Sequence, residues 1–158
     1  MSRCNRSLAL GLGFAMSLTL ASACGETAEC AGDCVCTGDA CQCPGSGDCI
    51  LDCGAACDLA CTGSGDCDFV CGDDCLVGCP GSGLCTVSVG AGSSVSCTGS
   101  GGCDVLCHGD CTIDCPGSGA CAALCAPGES CVIAFDRCAS GAEMSCADGS
   151  VVCNDACG

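Results

Sequence analysis

A period of 18 residues constrains this chain more than any other feature in it. Copies begin at Cys43, Cys61, Cys79, Cys97 and Cys115, each followed by Pro or Thr and then by Gly-Ser-Gly. The segments read CPGSGDCILDCGAACDLA, CTGSGDCDFVCGDDCLVG, CPGSGLCTVSVGAGSSVS, CTGSGGCDVLCHGDCTID and CPGSGACAALCAPGES. A short fixed period is the signature of a solenoid, in which each repeat buries its apolar side only against its neighbours. Inside the unit, Cys49, Leu51 and Cys53 alternate with Ile50 and Asp52, and Cys57, Leu59 and Cys61 alternate with Asp58 and Ala60. A period of two is the mark of a strand. The central inward position recurs as Phe69, Val77, Val87, Val95, Val105, Ile113 and Ala123. Between strands lie a three-residue turn, as in Gly54-Ala55-Ala56, and a five-residue turn built on Gly-Ser-Gly. Glycine in the longer turn is expected to supply positive φ and to let successive turns stack closely. The pattern predicts an all-β fold: a two-sheet parallel β-solenoid of 18-residue coils, with few or no helices after the N-terminal segment.

Such a stack needs covalent help. The chain has 28 Cys and 26 Gly among 158 residues, no Trp, no Tyr and three Phe, so large apolar side chains are too few for an ordinary core. The third repeat suggests how the cysteines pair. It alone carries Val89 and Ser93 where the others have Cys, and these two flank the short turn Gly90-Ala91-Gly92. Their joint loss implies that they are partners elsewhere: Cys53–Cys57, Cys71–Cys75 and Cys107–Cys111. The cysteines flanking each long turn then pair as Cys43–Cys49, Cys61–Cys67, Cys79–Cys85, Cys97–Cys103 and Cys115–Cys121, with Cys125–Cys131 closing the last. Cys30, Cys34, Cys36 and Cys41 remain for an N-terminal cap, and Cys138, Cys146, Cys153 and Cys157 for a C-terminal one. Bonds running from coil to coil instead stay open as an alternative.

The coil length and glycine turns resemble the RTX β-roll, which also uses 18 residues per coil, over roughly residues 43–125. In Gly45-Ser46-Gly47-Asp48-Cys49-Ile50-Leu51 a Cys falls where the RTX repeat has its calcium-binding Asp. The resemblance therefore implies the coil and not the calcium site, with a disulfide standing in for the ion.

The N-terminus reads as a signal peptide over residues 1–23: Arg3 and Arg6 precede an uncharged run from Leu8 to Leu20, too short to read as a membrane span, and Ala21-Ser22-Ala23 offers a small-residue cleavage site. Leu20-Ala21-Ser22-Ala23-Cys24 resembles a bacterial lipobox, which implies acylation of Cys24 and a membrane anchor. Cleavage with Cys24 kept as a disulfide partner is the competing reading. Parity favours lipidation, since removing Cys4 and Cys24 leaves an even number of cysteines. Either way the chain is expected in an oxidising place, the bacterial cell envelope or outside it. The domain plan that follows is residues 1–23 signal, 24–42 N-terminal Cys-rich linker or cap, 43–130 solenoid and 131–158 C-terminal cap. These features together resemble uncharacterised Cys-rich repeat lipoproteins of bacteria, a resemblance that implies no particular activity.

Catalytic chemistry finds little to stand on. His108 is the only histidine, in a short polar turn beside Cys107 and Asp110, and is expected to be simply solvated. No Gly-x-Ser-x-Gly and no Cys-x-x-Cys occurs, which removes the nucleophile elbow, the thioredoxin-like motif and the zinc ribbon. No catalytic residue, cofactor or metal ligand is assigned. Cys34-Val35-Cys36 and Cys41-Gln42-Cys43 have the spacing of metallothioneins, but strand alternation and export point to disulfides. From residue 24 onward one Arg faces 19 carboxylates, a balance that repels nucleic acid and attracts cations weakly and generically. Asp48 and Asp66 share a column that continues as Leu84, Gly102 and Ala120, so no unbroken acidic ladder exists. The outward positions Ile50, Asp68, Thr86, Asp104 and Ala122 likewise lack the regular Thr array of insect antifreeze proteins, which the stapled coil otherwise resembles. The expectation is a non-enzymatic structural or adhesive surface protein whose protein or polysaccharide partner the sequence does not name. The alternatives are metal or cation sequestration and, after it, ice binding.

Overall fold

A computed structural model describes residues 29–157 except 33, 38, 140 and 142. The segment expected to be a signal peptide, residues 1–23, and Cys24 lie outside the described residues. Fifteen strands are numbered in chain order. β1 (Glu29–Ala31) and β2 (Val35–Thr37) precede the coils. The coils then alternate between two sheets through β3 (Ala40–Cys43), β4 (Cys49–Cys53), β5 (Asp58–Cys61), β6 (Cys67–Cys71), β7 (Leu76–Gly78) and β8 (Cys85–Val89). They continue through β9 (Ser94–Ser96), β10 (Cys103–Cys107), β11 (Cys111–Cys115), β12 (Cys121–Cys125) and β13 (Ile133–Cys138). β14 (Glu143–Ser145) and β15 (Val151–Cys153) follow. One sheet runs β1-β4-β6-β8-β10-β12-β15-β14 and the other β13-β11-β9-β7-β5-β3-β2. The fold is a disulfide-rich parallel β-solenoid, and no helix occurs among the described residues.

Register explains why the repeat is so regular. Cys49, Cys67, Cys85, Cys103 and Cys121 pair directly on successive parallel strands, as do Leu51, Phe69, Val87, Val105 and Ala123. Each residue therefore sits on its own equivalent in the coil before. The inward aliphatic column is buried in both sheets, from Leu51, Leu59 and Phe69 to Ile113 and Ala123. A one-residue slip would turn that column to solvent, so the alternating pattern fixes the pairing. Parallel pairing starts at Ala40 and runs to Cys138, so residues 40–42 and 131–138 belong to the stack as well as residues 43–130. The last coil is longer: Cys111 pairs with Ile133, and a bulge falls between Ile113 and Asp114.

The ends of the stack are closed by reversal. β1 lies antiparallel on β4 and β2 antiparallel on β3, while β15 lies antiparallel on β12 and carries β14. These reversals put short strands at both edges of the first sheet and at the N-terminal edge of the second, a known defence against further strand addition, while β13 remains the parallel C-terminal edge of the second sheet.

At the long corners glycine serves close approach rather than unusual φ. A Cβ on Gly83 would lie 2.1 Å from the Gly65 carbonyl oxygen, and one on Gly65 would lie 2.1 Å from that of Gly47. The hydrogen-bond ladder also runs round this corner, with Gly81 N–H donating to Cys61 O and Gly99 N–H to Cys79 O. The expected positive φ falls instead in the short turn, at Ala56 and Asp74 (59° each) and at Gly92 (73°). The third residue of the turn is left-handed in these three coils, whereas His108-Gly109-Asp110 makes the same link without a positive φ.

Candidate functional site

The chemistry of this molecule is concentrated at its corners. Inward cysteines at both ends of each turn meet across it because the strand pattern points them to the same interior. At the long corners the structure bonds Cys43–Cys49, Cys61–Cys67, Cys79–Cys85, Cys97–Cys103 and Cys115–Cys121. At the short corners it bonds Cys53–Cys57, Cys71–Cys75 and Cys107–Cys111, with Cys125–Cys131 in the longer last coil. The Cα separations of these nine bonds run from 5.8 to 6.6 Å, within the range a disulfide accepts. The caps add Cys36–Cys41, Cys138–Cys153 and Cys146–Cys157, and Cys34 is disulfide-bonded too.

Two columns of disulfides thus climb the stack, one along each row of corners. Their sulfurs crowd into groups of three whose Sγ atoms lie within 4.8 Å of one another: Cys34/Cys43/Cys49, Cys57/Cys71/Cys75, Cys79/Cys85/Cys103 and Cys97/Cys103/Cys121. Among the described residues, no carboxylate or imidazole joins such a group. A sulfur held in a disulfide is a poor ligand, because metals bind the thiolate.

The third coil lacks a short-corner staple, and side chains take its place. Val89 is buried where a Cys would stand. Ser93, the one buried polar residue among those described, accepts a hydrogen bond from Cys75 N–H (3.1 Å) and donates to Gly72 O (3.3 Å). Asp73 accepts from Ala91 N–H at 2.8 Å, tying the same turn to the coil before it. Other aspartates work in the same way: Asp66 accepts from Leu84 N–H and Asp110 from Val132 N–H, each at 2.8 Å. The acids along the corners thus serve as coil-to-coil acceptors. Asp48, Asp66 and Asp68 also line a shallow groove of about 270 Å³ with Ile50, Leu84 and Thr86.

His108 has partners that the sequence did not reveal. Its Nε2 lies 3.1 Å from Ser88 Oγ and its Nδ1 3.3 Å from Glu129 Oε1. Hydroxyl, imidazole and carboxylate stand in the order of a catalytic relay. The His and Glu side chains are 45% and 43% exposed, so solvent screens the charge interaction between them. The three residues come from three successive coils, beside the corner where the third coil has no disulfide, and they clip those coils together.

Arg137 on β13, the one Arg or Lys among the described residues, is paired through Nε and Nη2 with Asp114 on β11, the Nε contact being 2.8 Å. Hydrogen bonding to Asp114, aided by its charge, raises the guanidinium above its already high ordinary pKa. In the C-terminal cap, hydrogen bonds from the Ser150 hydroxyl and N–H hold the Asp148 carboxyl below the usual carboxylate range. Comparison with protein-family models, with curated proteins and with solved structures returns no match.

Proposed function

We propose that this protein is a non-enzymatic structural or adhesive element of the bacterial cell surface, exported through its N-terminal signal and anchored by lipid at Cys24. One observation carries the reading: every corner of the stack but one is closed by its own disulfide. Each such small loop restrains the unfolded chain by about 2 kcal/mol, and the restraint holds only where thiols stay oxidised. Stability carried by corners leaves the outward side chains free to meet a surface protein or a polysaccharide. The acidic surface adds weak, generic attraction for cations and disfavours nucleic acid. The outward columns Ile50–Asp68–Thr86–Asp104–Ala122 and Asp58–Leu76–Ser94–Thr112 are chemically irregular, unlike the repeated face that ice binding requires.

The test is the non-reduced intact mass of the protein extracted from its native membranes. The expected result is a diacyl or triacyl group on Cys24 and a deficit of about two daltons for each disulfide. An unmodified N-terminus in the culture medium would remove the anchor. Free thiols carrying bound metal would replace the scaffold reading with metal sequestration.

A further inference from the structure

We infer that the sulfur column at the long corners of the third, fourth and fifth coils is a thiol–disulfide exchange site, through which a thiol opened at one rung passes to the next and leaves a coil-to-coil bond behind it. Cys103 is the hub. Its Sγ belongs to two groups of close sulfurs, one with Cys79 and Cys85 of the coil before and one with Cys97 and with Cys121 of the coil after. Within each group the atoms lie within 4.8 Å of one another. Cys85, Cys103 and Cys121 are also direct register partners on β8, β10 and β12. Neighbouring strands lie about 4.8 Å apart, inside the Cα range of roughly 4.4–6.8 Å that a disulfide accepts. The Cβ atoms of such in-register partners also lie about 4.8 Å apart, so a bond between rungs needs side-chain rotation and an approach of the strands by a few tenths of an ångström, to the roughly 3.5–4.5 Å that a disulfide takes.

The step balances without an oxidant or a reductant. The Cys121 thiolate attacks Cys103 Sγ, a Cys103–Cys121 bond forms, the Cys97–Cys103 bond breaks, and its electron pair leaves on Cys97. If Cys97 Sγ is attacked instead, Cys103 departs as the thiolate and lies beside the Cys79–Cys85 bond. In either case one thiolate and one disulfide enter and one of each leaves. Entry comes from a small external thiol that reaches the Cys115–Cys121 bond when that corner opens locally, both cysteines being buried in the closed coil; it bonds to Cys115 as a mixed disulfide and frees Cys121. The product suits a molecule outside the cell. In the exchange step itself the Cys97–Cys103 staple of sequence separation 6 gives way to a bond of separation 18, which closes a larger loop and restrains the unfolded chain more than the staple it replaces. An attack by thiol thus opens two corners, Cys115–Cys121 and Cys97–Cys103, and ties the fourth and fifth coils together by one bond. The short-corner column offers no such run, because Val89 and Ser93 interrupt it at the third coil.

The experiment places one thiol in the column. In Cys115→Ser, Cys121 is left without its partner. The purified oxidised protein is held at about pH 8, then quenched in acid, unfolded, alkylated with a maleimide and mapped as non-reduced peptides. The expected result is alkylation moving from Cys121 onto Cys97 with a Cys103–Cys121 peptide, and onto Cys103, Cys79 and Cys85 with a Cys97–Cys121 peptide. The rate should fall about tenfold per pH unit below the thiol pKa, as the thiolate fraction does. Cys121→Ser is the control: it leaves Cys115, which belongs to neither close group, so its label should stay in place. Label that stays on Cys121 for a day, with Cys97–Cys103 intact, overturns the inference. So does label that spreads to distant bonds such as Cys53–Cys57 or Cys146–Cys157, which would mean unfolding and not a relay. Should Cys115→Ser fail to fold, wild-type protein with one equivalent of glutathione, quenched in the same way, gives the same readout: the Cys103–Cys121 peptide forms, or it does not.

Discussion

Ser93 offers a sharp test of how the third coil does without its second staple. Its hydroxyl is buried and accepts from Cys75 N–H at 3.1 Å while donating to Gly72 O at 3.3 Å. In Ser93→Ala the Gly72 oxygen keeps a partner, because Gly90 N–H also donates to it at 3.0 Å. The Cys75 N–H loses its side-chain acceptor, and a buried donor left so costs roughly 1–3 kcal/mol. The double substitution Val89→Cys with Ser93→Cys loses the same hydrogen bond but closes a loop like that of Cys71–Cys75, of sequence separation 4. That closure contributes about 2 kcal/mol. Loss and gain nearly cancel. Thermal unfolding followed by circular dichroism under non-reducing conditions should therefore find Ser93→Ala melting roughly 2–12 °C below wild type, at about 2–4 °C per kcal/mol for a chain of this size. The oxidised double variant, identified by its two-dalton mass deficit, should melt within a few degrees of wild type. A Ser93→Ala protein as stable as wild type would refute the idea that the hydroxyl replaces the staple. So would a double variant far more stable than wild type, since the missing bond would then be an uncompensated weakness.

Two further substitutions probe the corners. In Gly83→Ala the new Cβ would meet backbone, 2.1 Å from Gly65 O and 2.6 Å from its carbon, so the coils must part locally. The expected cost is about 1–3 kcal/mol or more, read as a lower melting temperature, while exposed Ser82→Ala should change it by less than about 0.5 kcal/mol. An equal effect of the two would mean that the corner has slack. His108→Ala removes an exposed clip and should cost under about 1 kcal/mol. Ser88 should not react with a fluorophosphonate, and labelling there that depends on His108 would overturn the non-enzymatic reading.

Much of the coil was legible because an 18-residue period forces every position to stack on itself. Alternation in Cys49–Cys53 and Cys57–Cys61 placed the inward column, and the paired exchange of Val89 and Ser93 singled out the partners across the short turn. What the sequence concealed lies where the period fails or where two coils meet off register. The caps reverse direction, and a single antiparallel strand has no repeat to announce it. The last coil adds residues between β12 and β13, which moves Ile133 opposite Cys111. The Ser88–His108–Glu129 clip joins positions 20 and 21 apart, two and three residues away from strict stacking. Folding the sequence at 18 puts Ser88 beside Leu106, two residues from His108, so a search of near-stacked positions would have found this contact. The coil-to-coil role of Asp66, Asp73 and Asp110 was hidden for another reason: an aspartate in a turn reads as solvated until the coil above supplies the N–H it accepts.

The division of labour within the coil bears directly on function. Register is set by the buried aliphatic column, close stacking by the corner glycines, and covalent restraint by the cysteines, so all three duties fall on inward or corner positions. The outward positions carry none of them. Ile50, Val70 and Leu76 stand well exposed, and along the strands the facing residues change freely from acid to aliphatic to hydroxyl. In a protein stabilised mainly by a packed core, replacing surface-adjacent residues soon disturbs packing. Here a face can be rewritten residue by residue while the corners hold the coil, which is the physical condition that the proposed surface role would need.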